Sequence, residues 1–268
     1  MKPKKHSGKT ALVTGATDGI GLQLAHCCAK DGYNVILVAR TQENLEKTAQ
    51  EIMSLYRVKA YGISADLMEP ENAFRLYEEI TGEGIEIDVL INDAGQGVWG
   101  AFTGTDIHQE LKIIQLNISS LVILTKLFLK DMVVRGSGKI LQLASIAAKT
   151  STPYMAVYGG TKAFIYNFTQ ALISELKDSK VSVTALLPGP TDTNFFTTAG
   201  AEKTVIVVEG DLDDPTAVAK SGYEAMQSGE SKIVAGWKNK VQAGIGNLLS
   251  DEMLADQSKK QNEISSKR

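Results

Sequence analysis

Short runs in which nearly every residue is apolar alternate along the chain with longer stretches whose apolar residues recur every three to four positions. Thr10–Thr14 (TALVT), Asn34–Ala39 (NVILVA), Val58–Ile63, Asp88–Ile91 (DVLI), Lys139–Leu143 (KILQL) and Val181–Leu187 (VSVTALL) read as strands, with Lys232–Ala235 (KIVA) as a seventh. The intervening stretches predict helices over Gly19–Lys30, about Gln42–Leu55, about Pro70–Ile80, Ile107–Val134 and about Met155–Leu176. A strand that is apolar on both of its faces is covered on both, which is the signature of a parallel sheet between helical layers. Regular alternation of strand and helix builds right-handed βαβ units. The expected fold class is therefore α/β: a doubly wound, mostly parallel seven-stranded sheet with helices on both faces.

Two segments break the rhythm. Residues 190–214, following Pro188 and Gly189, are too long for a passive connection and are expected to form a substrate loop. Residues 251–268 are polar with balanced charge and no apolar face, and are expected to be a flexible tail on a single domain of residues 1–250. A chain of 268 residues suits one large α/β domain. The net charge of −3 gives no pull on a polyphosphate backbone, so nucleic acid is not an expected partner. Cys27 and Cys28 are adjacent in a helical stretch and offer no disulfide framework. The basic start (Lys2, Lys4, Lys5, Lys9) lacks the apolar core of a signal peptide, and Lys112, Lys126, Lys130 and Asp131 interrupt the most apolar stretch as a membrane span. No membrane partner and a cytoplasmic location are the expectations.

TGATDGIG at Thr14–Gly21 lies between the first strand and the first helix. Gly15, Gly19 and Gly21, with Thr17, Asp18 and Ile20 between them, leave backbone N–H groups at a helix N-terminus open to a phosphate. The spacing is a variant of the common dinucleotide fingerprint. At the end of the second strand, where a carboxylate would hold the 2′-hydroxyl of NAD, stands Arg40, which suits the 2′-phosphate of NADP. Asp18 opposes that choice from the glycine turn.

Tyr158 and Lys162, at i and i+4, share one helix face. An ammonium close to a phenol favours the phenolate and would lower its pKa toward a useful range. Ser145 ends the fifth strand, at the carboxyl edge of the sheet where α/β folds bind ligands. The lone histidines (His6, His26, His108) have no metal spacing, and no metal is expected.

With these motifs, and with Asp66 in ADL, Asn92–Gly95 (NDAG), Asn117 in the long helix and PG at Pro188–Gly189 followed by Thr193, the chain resembles the short-chain dehydrogenase/reductases over about residues 9–235. The resemblance implies a Rossmann-like fold and hydride transfer between a nicotinamide and a carbonyl or alcohol. It implies a catalytic tetrad of Asn117, Ser145, Tyr158 and Lys162. In it Ser145 orients the carbonyl, Tyr158 is acid/base, Lys162 tunes Tyr158 and binds the nicotinamide ribose, and Asn117 holds a water. It also implies cofactor contacts from Asp66, Leu67, Asn92, Ala94, Gly95, Pro188, Gly189, Thr191 and Thr193. NADP(H) is the expected cofactor, in preference to NAD(H). Asp93 stands where the family's usual motif has asparagine.

The expected substrate is a small carbonyl or alcohol compound, met by Gln96–Phe102, Ile146–Met155 and the loop Asn194–Val208. GWKNK at Gly236–Lys240 resembles a bacterial subgroup of the family. A non-catalytic NADP(H) sensor or scaffold on the same fold is the alternative; the intact tetrad argues against it. The surplus of apolar positions on Ile107–Val134 suggests a homodimer or homotetramer.

Overall fold

A computed structural model describes residues 6, 8–236 and 250–266; Trp237–Lys240 of the GWKNK segment lie outside the described residues. Seven strands run β1 (Thr10–Thr14), β2 (Asn34–Ala39), β3 (Ala60–Ser64), β4 (Val89–Asn92), β5 (Gly138–Leu143), β6 (Val181–Leu187) and β7 (Lys232–Val234). All pair in parallel in the order β3-β2-β1-β4-β5-β6-β7. The order reverses direction between β1 and β4, which opens a crevice at the carboxyl ends of those strands.

Alternation along each strand splits the core in two. Ala11, Val13, Val35 and Leu37 point to one face, under α1 (Gly19–Asp31), α2 (Gln42–Tyr56) and a later helix, Pro215–Ser228. Leu12, Ile36, Val38 and Leu90 point to the other, under α3 (Glu71–Gly82), the long helix and α6 (Ala156–Glu175). The long helix is interrupted: α4 (Ile107–Ile114) passes through a π-helical turn, Gln115–Ser120, into α5 (Leu121–Arg135). Taken alone, Ile107–Arg135 is long and apolar enough to cross a membrane. In the fold, Leu116, Leu124, Phe128 and Met132 bury its apolar side on the sheet.

Helices lie in three regions where the sequence pattern predicted loop or nothing. Phe195–Ala199 (α7) and Val205–Val208 (α8) sit inside the expected loop. Pro215–Ser228 (α9) carries its own boundary signals: the Asp214 side chain accepts from Thr216 N at 3.0 Å, proline opens the first turn, and Gly229 closes the helix at φ 76°.

The third corrects the expectation of a flexible tail. Asp251–Asn262 forms a helix, α10, capped by the Ser250 side chain. It lacks a broad apolar face, and is held by a few specific contacts instead. Leu254 is buried, Asn262 donates through Nδ2 to Pro153 O (3.0 Å), and Trp99 Nε1 donates to Asn262 O (2.8 Å). The chain after it pairs with Thr204 through Ile264, and Ser265 N donates to Lys203 O (2.9 Å).

Candidate active site

The crevice is a cavity of about 590 Å³ at the carboxyl edge of the sheet. Its first wall is the glycine turn. Gly15 (φ 70°) and Gly19 (φ 53°) adopt left-handed backbone, and a Cβ on Gly19 would meet the Thr193 side chain at 2.8 Å. Asp18 is the N-cap of α1 but makes no side-chain cap bond, and no acidic residue occupies the first helical turn. The N-terminal N–H groups of α1 therefore face a space lined by Gly15, Thr17, Asp18, Gly19 and Ile20. Such a cradle fits an anionic pyrophosphate. Gly21 does not line the cavity. A Cβ there would strike Gly15 O and the Asp93 carboxylate, so its smallness serves the packing of α1 against the turn.

Arg40, Thr41 and Asn44 line one end of the cavity beyond β2, and Ser64 Oγ holds Arg40 O at 2.8 Å. Asp66 and Leu67 line the same end, with Asp66 Oδ1 accepting from Met68 N at 3.0 Å. Ala94, Gly95, Pro188, Gly189, Thr191 and Thr193 also reach the cavity. Thr14 Oγ1 ties this region together by accepting from both Asp93 N and Ala94 N at 3.1 Å. Asn92 does not reach it. Buried as the last residue of β4, it donates through Nδ2 to Thr125 Oγ1 and Gln142 Oε1, both at 3.0 Å, and serves the sheet rather than the cavity.

The catalytic candidates converge at the centre. Ser145 lies two residues beyond the end of β5, and its Oγ accepts from Ala147 N at 3.1 Å to start a short turn. Tyr158 and Lys162 project from the first turns of α6, with Lys162 Nζ 5.7 Å from the Tyr158 ring centroid. Burial pushes the Tyr158 phenol up to about 12, and its hydrogen bond with Ser145 pulls it part of the way back. Sequence reasoning expected the Lys162 ammonium to lower that phenol. In the structure Lys162 Nζ donates to Leu143 O at 2.8 Å, and desolvation of the phenol dominates. Lys162 itself is 4% exposed, and burial lowers its pKa to about 8 against the upward pull of Asp93.

Asn117 sits in the π-helical turn, 1% exposed. Its Nδ2 donates to Gln96 O and Thr161 Oγ1 (both 2.9 Å), and its Oδ1 accepts from Gln96 N (3.0 Å). These bonds occupy the side chain. Through them Asn117 pins the Gln96 backbone to α6.

A profile of the short chain dehydrogenase family matches residues 9–219. The chain belongs to the short-chain dehydrogenase/reductase family. It is 38% identical to the "Very-long-chain 3-oxoacyl-CoA reductase" of Mycosarcoma maydis over 66% of this chain and 51% of that protein, so it spans about half the length of that relative. It is 31% identical to the "3-oxoacyl-[acyl-carrier-protein] reductase FabG" of Aquifex aeolicus, over 71% of this chain and 77% of the relative. Among solved structures, a short-chain dehydrogenase from Sphingobium yanoikuyae in complex with NADPH superposes with a TM-score of 0.80 at 26% identity, covering 91% of this chain and 95% of that one.

Two further features shape the site. Asp93 wedges its Oδ2 beneath Gly15 and Gly21, while its Oδ1 is buried with no partner among the described residues. Burial raises its pKa to about 7, against the opposing pull of Lys162 and the Gly21 N–H. The second feature was missed in the sequence: Leu254, Gln257, Ser258, Gln261 and Asn262 of α10 also line the cavity. Their recurrence at i, i+3, i+4, i+7 and i+8 was a helical signal, hidden because most of the row is polar.

Proposed function

We propose that this protein is an NADP(H)-dependent ketone reductase, acting on a 3-oxoacyl thioester, with Tyr158 as the proton donor. The observation that carries this reading is a half-buried tyrosine and a buried serine beside a glycine cradle in one cavity. A bound nicotinamide supplies the hydride. The glycine turn would hold the pyrophosphate, and Arg40 the 2′-phosphate of the adenosine ribose, through a charge-assisted bond.

The chain's own residues divide the remaining work. Ser145 Oγ hydrogen-bonds the substrate carbonyl and fixes it against Tyr158. The phenol is protonated at neutral pH because burial disfavours the phenolate. It is therefore an O–H donor at rest, and gives its proton to the alkoxide as charge develops on the carbonyl oxygen; the alkoxide is the stronger base, so the transfer runs downhill. Lys162, protonated below about 8, places positive charge near the site. Two named 3-oxoacyl reductases among the relatives support the thioester class. Met155, Phe195, Phe196 and Ile206 give an acyl chain apolar contacts next to Tyr158.

The test is to incubate the protein with NADPH and a ketone panel that includes an acetoacetyl thioester, and to identify the products by mass. The 3-hydroxyacyl thioester is the expected product; consumption of simple ketones only would remove the thioester assignment.

A homodimer accompanies this reading. Leu111, Val133 and Val134 on the long helix are exposed, as is Phe164, which stacks on Phe168 along α6. These patches support a two-fold interface. Sedimentation at micromolar concentration is expected to show twice the 28.9 kDa chain mass, and a stable monomer would contradict it.

A further inference from the structure

The cavity's two ends differ in kind. At the end lined by Arg40 and the glycine turn the walls are mostly tight turns and strand termini. At the other, α10 closes the cavity like a plate, fastened to each segment that flanks Tyr158. Trp99 Nε1 reaches Asn262 O (2.8 Å), Asn262 Nδ2 reaches Pro153 O (3.0 Å), and Val205 N donates to Glu263 O (2.9 Å). The helix thus bears on the chain before α4, the chain before α6 and the loop around α8. Its position is set by the same segments that would surround a substrate.

The face it turns to the cavity is mostly polar. Gln257 is exposed at the rim, and Ser258 and Gln261 are half-buried further in. Their side chains make no hydrogen bond to another described residue, although neighbouring Asn262 and Ser265 are fully engaged in docking. The facing wall is apolar, built from Met155, Phe195, Phe196 and Ile206. A substrate filling this space meets hydrocarbon on one side and free amide donors and acceptors on the other. A purely alkyl group against α10 would strip water from those amides without replacing their bonds, whereas an amide-bearing arm would pair with them.

We propose that Gln257, Ser258 and Gln261 form the substrate-selecting wall of the cavity, and that they select 3-oxo thioesters whose thiol arm carries an amide, leaving the acyl chain to the aromatic wall. This rests on the reductase reading above and assigns the arm of its substrate. The pantetheine arm of an acyl carrier has that chemistry. The three are specificity residues: they touch the substrate away from the reacting carbonyl.

The experiment compares two acetoacetyl thioesters with NADPH, one of N-acetylcysteamine, which has the amide, and one of ethanethiol, which lacks it. Wild type is expected to prefer the amide-bearing substrate by about tenfold in kcat/KM, carried by KM. In the Gln257→Leu/Gln261→Leu double variant, with its melting temperature kept, the ratio is expected to fall to about one through a raised KM for the amide substrate. A wild type that shows no preference overturns the assignment. So does a variant that loses both substrates by the same factor, which would make the helix structural only, and so does a wild type that reduces other ketones but neither thioester. Turnover of no ketone at all overturns the reductase reading and this inference with it.

Discussion

The two halves of the cavity are built by different means. The cofactor half is made of strand ends and tight turns: Gly15 and Gly19 on left-handed backbone, Thr14 Oγ1 bridging to Asp93 and Ala94, and Pro188 O accepting from Ile146 N at 3.0 Å. The substrate half is made of short helices and long-range contacts: α7, α8 and α10, joined by bonds such as Trp99 to Asn262, far apart in sequence. The first arrangement is stiff and generic, suited to a ligand shared by many enzymes. The second is assembled from side chains that tolerate change, which is where selectivity can vary while the chemistry stays constant.

The largest expected effect tests the boundary between the halves. Tyr158 touches both, packing on Phe195 at 5.0 Å between ring centroids. Tyr158→Phe keeps the ring and removes the O–H, so turnover should fall by about 10²–10⁴-fold while NADPH affinity changes little. Steady-state rates alongside a fluorescence titration of NADPH check this, and a variant within threefold of wild type would remove Tyr158 from the chemistry.

A smaller effect belongs to the cofactor half alone. Arg40→Asp removes the cation at the ribose end of the cavity, where Thr41 and Asn44 also stand. Wild type is expected to prefer NADPH over NADH by about ten- to hundredfold, and in the variant that preference should vanish or reverse with the NADH rate nearly unchanged. Wild-type kcat/KM values that are equal for both cofactors would show that Arg40 does not read the ribose.

The smallest sharpens the electrostatics beneath the glycine turn. The Asp93 carboxyl is neutral below about 7 and charged above it, and Lys162 loses its proton above about 8. Both changes make the site more negative as pH rises, so affinity for the anionic cofactor should fall between pH 6 and 9. Asp93→Asn removes the lower step and should bind NADPH more tightly than wild type at pH 8 but not at pH 6, by about fivefold. Isothermal titration at the two pH values decides it; parallel pH curves would show that Asp93 is not the titrating group.

The same division explains what could be read from the sequence. β1, β2 and β6 were legible to the residue because short, mostly apolar runs have few alternatives inside a two-sided sheet. The glycine turn, Ser145, Tyr158 and Lys162 were legible because local spacing fixes their geometry. One site residue was placed in the right region with the wrong work: Asn92 spends its amide on Thr125 and Gln142, partners that no local pattern reveals. The effect of Lys162 on Tyr158 was misjudged because i, i+4 spacing sets a shared face and says nothing of desolvation, which dominates here. α10 was read as a tail because its docking rests on three or four long-range bonds, with Leu254 as its one buried apolar anchor in the cavity wall. α9 could have been found from Asp214-Pro215 and Gly229 alone.

Hydride transfer is the most direct test of the whole reading, since a cofactor-binding sensor would share the cradle, Arg40 and even a saturable affinity for NADPH. NADPH deuterated at the transferring position of the nicotinamide, incubated with an acetoacetyl thioester and the wild-type protein, should yield a 3-hydroxy product carrying one deuterium on its carbinol carbon, with Tyr158→Phe yielding almost none. Saturable NADPH binding with no deuterium in any product across the ketone panel would contradict catalysis and leave the protein a binder of the cofactor.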